Sequence, residues 1–135
     1  ADLTLHRQRL GALADQIEER APGVVAGYRD RLQANLAELG CAGADPQRVA
    51  QEVALMADRA AIDEELARLR SHFQQMDLLL ASEEPVGSRL NFLAQELNRE
   101  TNTIGSKAMD AQIAGFVLDA KAEIEKLREQ IQNIE

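Results

Sequence analysis

The stretch Ile113-Ala-Gly-Phe-Val-Leu-Asp-Ala-Lys-Ala-Glu-Ile-Glu-Lys-Leu-Arg-Glu-Gln-Ile-Gln-Asn-Ile134 decides the fold class. Ile113, Val117, Ala120, Ile124, Leu127, Ile131 and Ile134 follow one another at 4-3-4-3-4-3 spacing. That spacing lays an apolar stripe along one face of a long helix, coiled-coil fashion, and matches no strand alternation. The stripe needs a cover, either other helices of this chain or a second subunit. Ordinary bundle packing is the commoner use of such a face.

Working back from that helix, the same periodicity recurs. Leu90, Leu93 and Leu97 mark a helix over about Ser88–Thr101, preceded by a loop from Ser82 to Gly87. Leu66, Leu69, Phe73, Met76 and Leu80 form a 3-4-3-4 seam on a helix that Asp63 can cap, with Glu64 and Glu65 in its first turn where the dipole favours anions. Asp45-Pro46 is a cap and first-turn pair opening a helix with Val49, Val53 and Met56 inward. Gly40-Cys-Ala-Gly-Ala is a break. Before it, Leu3, Leu10, Leu13 and Ile17 mark a first helix, and Val25, Tyr28, Leu32, Leu36 and Leu39 a second that Pro22 opens, so residues 1–40 read as a helical hairpin. The expectation is an all-α, antiparallel bundle of about five to six helices ending in a long coiled-coil-like helix, with residues 1–135 as one helical domain.

Composition agrees with that class. Apolar residues make up 45% of the 135 and aromatics only 3%, with no Trp, so the core is built of aliphatic side chains that suit helices. The single cysteine, Cys41, forms no intrachain disulfide, which fits a reducing compartment. No apolar run approaches the roughly 20 residues of a membrane span, and no basic segment leads into an apolar one as in a signal peptide. The chain opens Ala-Asp-Leu without an initiator Met, as expected of a processed chain or a piece of a longer one. A net charge of −8 disfavours nonspecific binding to nucleic acid or an anionic membrane, so any nucleic-acid contact, RNA included, needs local cations or bound metal; no DNA partner is expected. The charge is uneven: residues 41–85 hold nine acids and four bases, residues 86–110 three of each.

Two polar segments can carry chemistry. In the run Gln95 to Lys107, Glu96 and Glu100 lie one turn apart on one helix face, where like charges repel and Arg99 softens the repulsion. Such a pair can hold a hard divalent cation or share a proton, although a solvated face is the commoner outcome. In the second, Glu64, Arg68 and His72 recur every four residues beside the apolar seam, with Asp58, Arg59, Asp63, Glu65 and Ser71 nearby. His72 is the titrating group suited to general acid or base work, and a histidine hydrogen-bonded to a carboxylate is its plainer reading. His6 reads as ordinary surface. One Cys and two distant His make a structural zinc site unfavourable, no GxGxxG, GxxxxGK[ST] or GxSxG occurs, and stacking aromatics are confined to Tyr28, Phe73, Phe92 and Phe116.

The segment Arg89-Leu-Asn-Phe-Leu-Ala-Gln-Glu-Leu-Asn-Arg-Glu-Thr-Asn-Thr-Ile-Gly-Ser-Lys-Ala108 and the tail Lys126-Leu-Arg-Glu-Gln-Ile-Gln-Asn-Ile-Glu135 resemble the C-terminal signature of the YicC-like endoribonuclease family. Ala57-Asp-Arg59, Ile62-Asp-Glu-Glu-Leu66 and Arg68-Leu-Arg-Ser-His72 match an earlier block of that family in order. The match covers about residues 50–135, so residues 46–135 hold the signature helices and the chain resembles the C-terminal half of a longer, bacterial, cytoplasmic protein. The resemblance implies RNA cleavage assisted by Mg²⁺ or Mn²⁺ in a homo-oligomer, possibly a hexamer. Carried over by position, His72, Glu96 and Glu100 would be catalytic. Asp58, Glu64, Glu65, Glu96, Glu100 and Asp110 would face metal, and Arg59, Arg68, Arg99, Lys107, Asn98, Asn102, Thr103 and Ser106 would face RNA. The sequence departs once, with Ala61 where the family usually has Asp. The rival expectation is a non-catalytic oligomerisation and RNA-adaptor module whose polar blocks form a structural inter-helix network; a coiled-coil scaffold built on the 113–134 stripe is a third.

Overall fold

Charged pairs between distant residues fix how the helices run. The computed structural model describes residues 2–40, 43, 45–83 and 86–134. Within them the elements are α1 (Asp2–Glu38), α2 (Pro46–Ala60), α3 (Asp63–Leu80), α4 (Gly87–Lys107) and α5 (Ala111–Asn133). Arg7 meets Asp77 while Arg70 meets Asp15, so α1 and α3 are antiparallel. His6 meets Glu123 and Arg20 meets Asp110, so α1 and α5 are antiparallel as well. Lys107 meets Glu65 and Arg68 meets Glu100, which sets α4 against α3 in the same sense. Helices α1, α3, α4 and α5 therefore form an antiparallel four-helix bundle in which α1 and α4 lie diagonally apart, and α2 packs on α1 outside it.

The all-α class holds, with no strand among the described residues. The hairpin expected over residues 1–40 does not form: α1 is one continuous helix with Pro22 inside it. A proline in a helix interior costs about 3 kcal/mol. Here the buried stripe Leu10, Ala14, Ile17 and Val24 stays in phase across Pro22, and burying two such branched side chains contributes about 1.5–3 kcal/mol each, enough to hold the helix through it. The six segments expected from the sequence thus become five helices. At 37 residues α1 extends about 55 Å, against about 35 Å for the 23 residues of α5, so its second half overhangs the bundle and supports α2. Gly40, at φ 75°, closes α1 in the left-handed conformation that favours glycine.

Boundaries moved in two further places. Asp63 is the first residue of α3 and does not cap it; Ile62 holds the cap position without a side-chain bond. Asp45 does cap α2, accepting from the Gln47 N–H at 3.0 Å. Helix α4 runs to Lys107, past Thr101 where the reading expected it to stop. Thr101, Thr103 and Ser106 donate their hydroxyls to the carbonyls of Leu97, Arg99 and Asn102, which satisfies those groups inside the helix. Gly105 lets α4 lie close to α5 there, since a Cβ would sit 3.1 Å from Cγ1 of Val117 and that side chain would have to shift slightly. Cys41 and parts of the loops expected at 40–44 and 82–87 lie outside the described residues.

The core collects Leu69, Phe73 and Met76 of α3, Leu90, Leu97 and Ile104 of α4, and the α5 stripe from Ile113 to Ile131. That stripe is covered by α1 and α4 of the same chain, while Ile134, its last expected member, is exposed. No helix among the described residues is long and apolar enough to cross a membrane.

Candidate functional site

The outer seam between α3 and α4 gathers Glu64, Glu65, Arg68, His72, Glu96, Glu100 and Lys107, about half of the site residues the sequence singled out. Helical spacing places Glu65, Arg68 and His72 on the flank of α3 that meets α4, and Glu96, Glu100 and Lys107 on the answering flank of α4. Glu65 and Glu100 are buried, with side chains 4% and 8% exposed. Arg68 Nε donates to Glu100 Oε1 at 2.9 Å and its Nη2 to Glu65 Oε2 at 3.2 Å. Lys107 Nζ donates to the same Glu65 oxygen at 2.9 Å, and Glu64 stands 3.7 Å from Arg68 at the rim. Two buried carboxylates are thus bridged by two cations that remain 47% and 38% exposed.

The electrostatics follow from that arrangement. Burial pushes the Glu65 carboxyl up, but the hydrogen bond from Lys107, its own backbone N–H and the Arg68 charge outweigh burial and hold it below the ordinary value. The hydrogen bond to Glu100 raises Arg68, which stays charged. Glu65 Oε1 is buried without a partner, and so is His72 Nδ1. One helical turn beyond the Arg68–Glu100 pair, the antiparallel register brings His72 level with Glu96. Glu96 is loosely paired with Arg99 at 3.9 Å.

Other expected site residues lie elsewhere. Asp58 and Arg59 are exposed on α2, which packs on α1 and not along α3 or α4. Asp110 caps α5 by accepting from the Ile113 N–H at 3.0 Å and takes a two-pronged bond from Arg20 at 3.1 and 2.8 Å. Its place is the α1–α5 face, away from the seam. Asn98, Asn102, Thr103 and Ser106 lie on α4, where the two hydroxyls are spent on its own backbone. Ala61 ends α2 and lines a separate cleft of about 440 Å³ with Ala57, Ile62 and Ile113, so the departure there does not touch the ionic cluster.

The resemblance implies a divalent cation, and the seam does not fit one as it stands. Its carboxylates are already held by Arg68 and Lys107, and among the described residues no group of three or more His, Cys, Asp or Glu is placed to hold a metal. What the seam offers is a half-buried histidine one turn from Arg68, in a cluster whose two half-exposed cations are both engaged by carboxylates.

His6 corrects its reading as surface: it is buried, with Nδ1 2.8 Å from Glu123 Oε2, while Arg9 donates to Glu123 Oε1 at 3.2 Å. Burial raises the Glu123 carboxyl, and the bonds from His6 and Arg9 overcome that and leave it lowered. The bond from Arg20 lowers Asp110. Because Glu65, Asp110 and Glu123 are all held below their unfolded values, their stabilisation is complete above about pH 5 and is lost progressively as pH falls from there through the lowered folded values. Melting followed by circular dichroism from pH 7 to 3 is expected to be flat and then to fall below that point, and Glu123→Gln should flatten the fall.

Farther along the seam the sequence reading missed an open cleft of about 580 Å³ lined by Gln75, Leu78 and Leu79 of α3 and Ser88, Arg89, Phe92 and Leu93 of α4. The available signal was an aromatic four residues before Glu96, on a face that Leu90, Leu93 and Leu97 leave outward.

Residues 17–135 match the family described as Endoribonuclease YicC-like, C-terminal. The chain is 42% identical over 136 aligned positions to a protein named Probable endoribonuclease YicC from Clostridioides difficile, an alignment covering 99% of this chain and 46% of the relative. It is 40% identical over 132 positions to the protein of the same name from Haemophilus influenzae, covering 96% and 46%. The chain thus spans about half the length of the curated relatives it matches.

Proposed function

The chain belongs to the YicC-like endoribonuclease family through its C-terminal domain, and on that premise we propose that its α3–α4 seam binds and helps cleave RNA. The observation that carries the reading is half-exposed Arg68 one turn from His72, with Lys107 held at Glu65 about one turn beyond Arg68. All three guanidinium nitrogens face carboxylates, but Nη1 and Nη2 keep N–H bonds that Glu65 and Glu100 do not take, and these can turn to phosphate oxygens when exposed Glu64 gives way at the rim, while Lys107 adds a point charge. Glu65 and Glu100 then serve to orient the cations. With Nδ1 of His72 shielded, Nε2 is the atom that exchanges a proton with the ribose hydroxyl, the attacking water or the leaving oxygen. Glu96, level with it, orients the ring or the water. Arg99 lies outermost and steers the strand; Asn98 and Asn102 flank the path.

Mg²⁺ or Mn²⁺ is the cofactor the resemblance implies. The described residues do not assemble its donors, so no step of the proposed chemistry runs through it and its ligands belong to another part of the assembly. A homo-oligomer in the bacterial cytoplasm completes the proposal. The test is cleavage of a labelled single-stranded RNA by the full-length protein with Mg²⁺ or Mn²⁺ present. Alanine at His72, Glu96 and Glu100 together is expected to abolish cleavage; unchanged cleavage refutes the assignment.

A second reading is favoured by the same ion pairs: a non-catalytic RNA adaptor and oligomerisation module in which Glu65, Arg68, Glu100 and Lys107 only clamp α3 to α4. In that case Arg68→Ala lowers the melting temperature while cleavage per folded molecule is unchanged.

A further inference from the structure

We propose that the open cleft at the far end of the α3–α4 seam is a nucleobase-stacking subsite. Phe92 is its platform, Leu78 its apolar floor and Arg89 its phosphate contact. The inference rests on the RNA reading of the seam and extends it to a second contact on the same strand.

The chain has three Phe; Phe73 is buried and Phe116 half-buried, whereas Phe92 is 57% exposed beside Leu78 at 75%. An exposed aromatic and Leu side by side, rimmed by the polar Gln75, Ser88 and Arg89, form the kind of patch that marks a binding surface. Two observations select the occupant. First, helical spacing puts Gln75 on the α3 flank of Arg68 and His72, and Arg89 and Phe92 on the α4 flank of Glu96 and Glu100, so the cleft lies farther along the same seam. Phe92 and Glu100 are eight residues apart on α4, about 12 Å along its axis, a span that a short single strand covers. Second, Arg89 is exposed and has no ion pair among the described residues, a free cation in a chain of net charge −8. It favours an anionic partner with flat apolar faces, which describes single-stranded nucleic acid. The overall charge of −8 opposes RNA and a second copy alike, so the choice rests on the local cation Arg89 and the adjoining seam, and the sedimentation measurement below separates the two. Stacking on Phe92 is tolerant of base identity, so the subsite adds affinity and register without sequence preference.

The chain lacks Trp, so Phe92→Trp installs a single fluorophore in the cleft. A ten-nucleotide RNA is expected to quench it, and the same RNA made abasic throughout to leave it unquenched. In anisotropy titrations Phe92→Ala and Phe92→Leu should weaken RNA binding about tenfold, within the five- to hundredfold that one stacked base supplies, without changing its salt slope. Arg89→Ala should instead reduce that slope by about one phosphate contact. Melting curves confirm that these surface variants fold. Binding by Phe92→Ala equal to the wild type overturns the subsite; if Arg68→Ala and Lys107→Ala still lose RNA, the seam reading survives. Sedimentation in which Phe92→Ala abolishes self-association and spares RNA binding makes a second copy the occupant and also overturns it. A wild-type chain that binds no RNA refutes both.

Discussion

Replacing Arg68 by Ala is expected to lower the melting temperature by several degrees, because the buried carboxylate of Glu100 loses its donor. Removing one partner of an ion pair is costly where it leaves the other charge buried without compensation. Two features reduce that cost here. Arg68 is half-exposed, so water reaches part of the bridge, and Glu65 keeps Lys107. Glu100 has no such substitute: its 8% exposed carboxylate accepts from Arg68 and loses that donor outright. Arg68→Lys should fall between, since a lysine keeps the charge but cannot reach both carboxylates with a planar fork. Thermal melting of the three proteins at pH 7 decides it. A variant Arg68→Ala that melts with the wild type would show that the bridge does not clamp α3 to α4.

That cluster shows what was legible in the sequence. Periodicity alone identified α3, α4 and α5 and their inward faces, because in an aliphatic chain burial follows spacing. The i, i+4 relation of Glu96 and Glu100 was equally visible. It suggested two like carboxylates sharing one environment, yet α4 separates them: Glu100 turns into the seam under Arg68, whereas Glu96 stays toward the rim. The pairing partner of Glu100 lies 32 residues earlier, and no local pattern announces it. Asp110 is grouped with the other metal candidates only through the family resemblance, by position. The three-residue connection between α4 and α5 carries it to the α1 side, where Arg20 waits 90 residues away. Pro22 misled for a different reason: local propensity forecast a break, and the in-phase stripe on both sides of it prevailed. His6 likewise gave no sign that Glu123 would bury it, since the two are joined only by the antiparallel packing of α1 on α5.

The second large effect belongs to His72. His72→Ala in the full-length protein is expected to slow RNA cleavage about 10²- to 10⁴-fold, the usual contribution of a positioned general acid or base. Its effect on melting should be small, for a physical reason. Nδ1 makes no hydrogen bond and the ring is only half-buried, so truncation removes no bond and leaves no new orphaned group. The seam therefore contains two neighbouring groups with opposite expected signatures. On the proposed reading Arg68 would serve the α3–α4 contact together with phosphate binding, whereas His72 would contribute little to stability and most of the proton transfer. Measuring cleavage under single-turnover conditions with saturating protein separates them further. His72→Ala should lower the rate at saturation and leave half-saturation unchanged, and Lys107→Ala should raise the half-saturating concentration. A rate for His72→Ala within twofold of the wild type would remove His72 from the chemistry and leave the α3–α4 seam as a surface that binds RNA without cutting it.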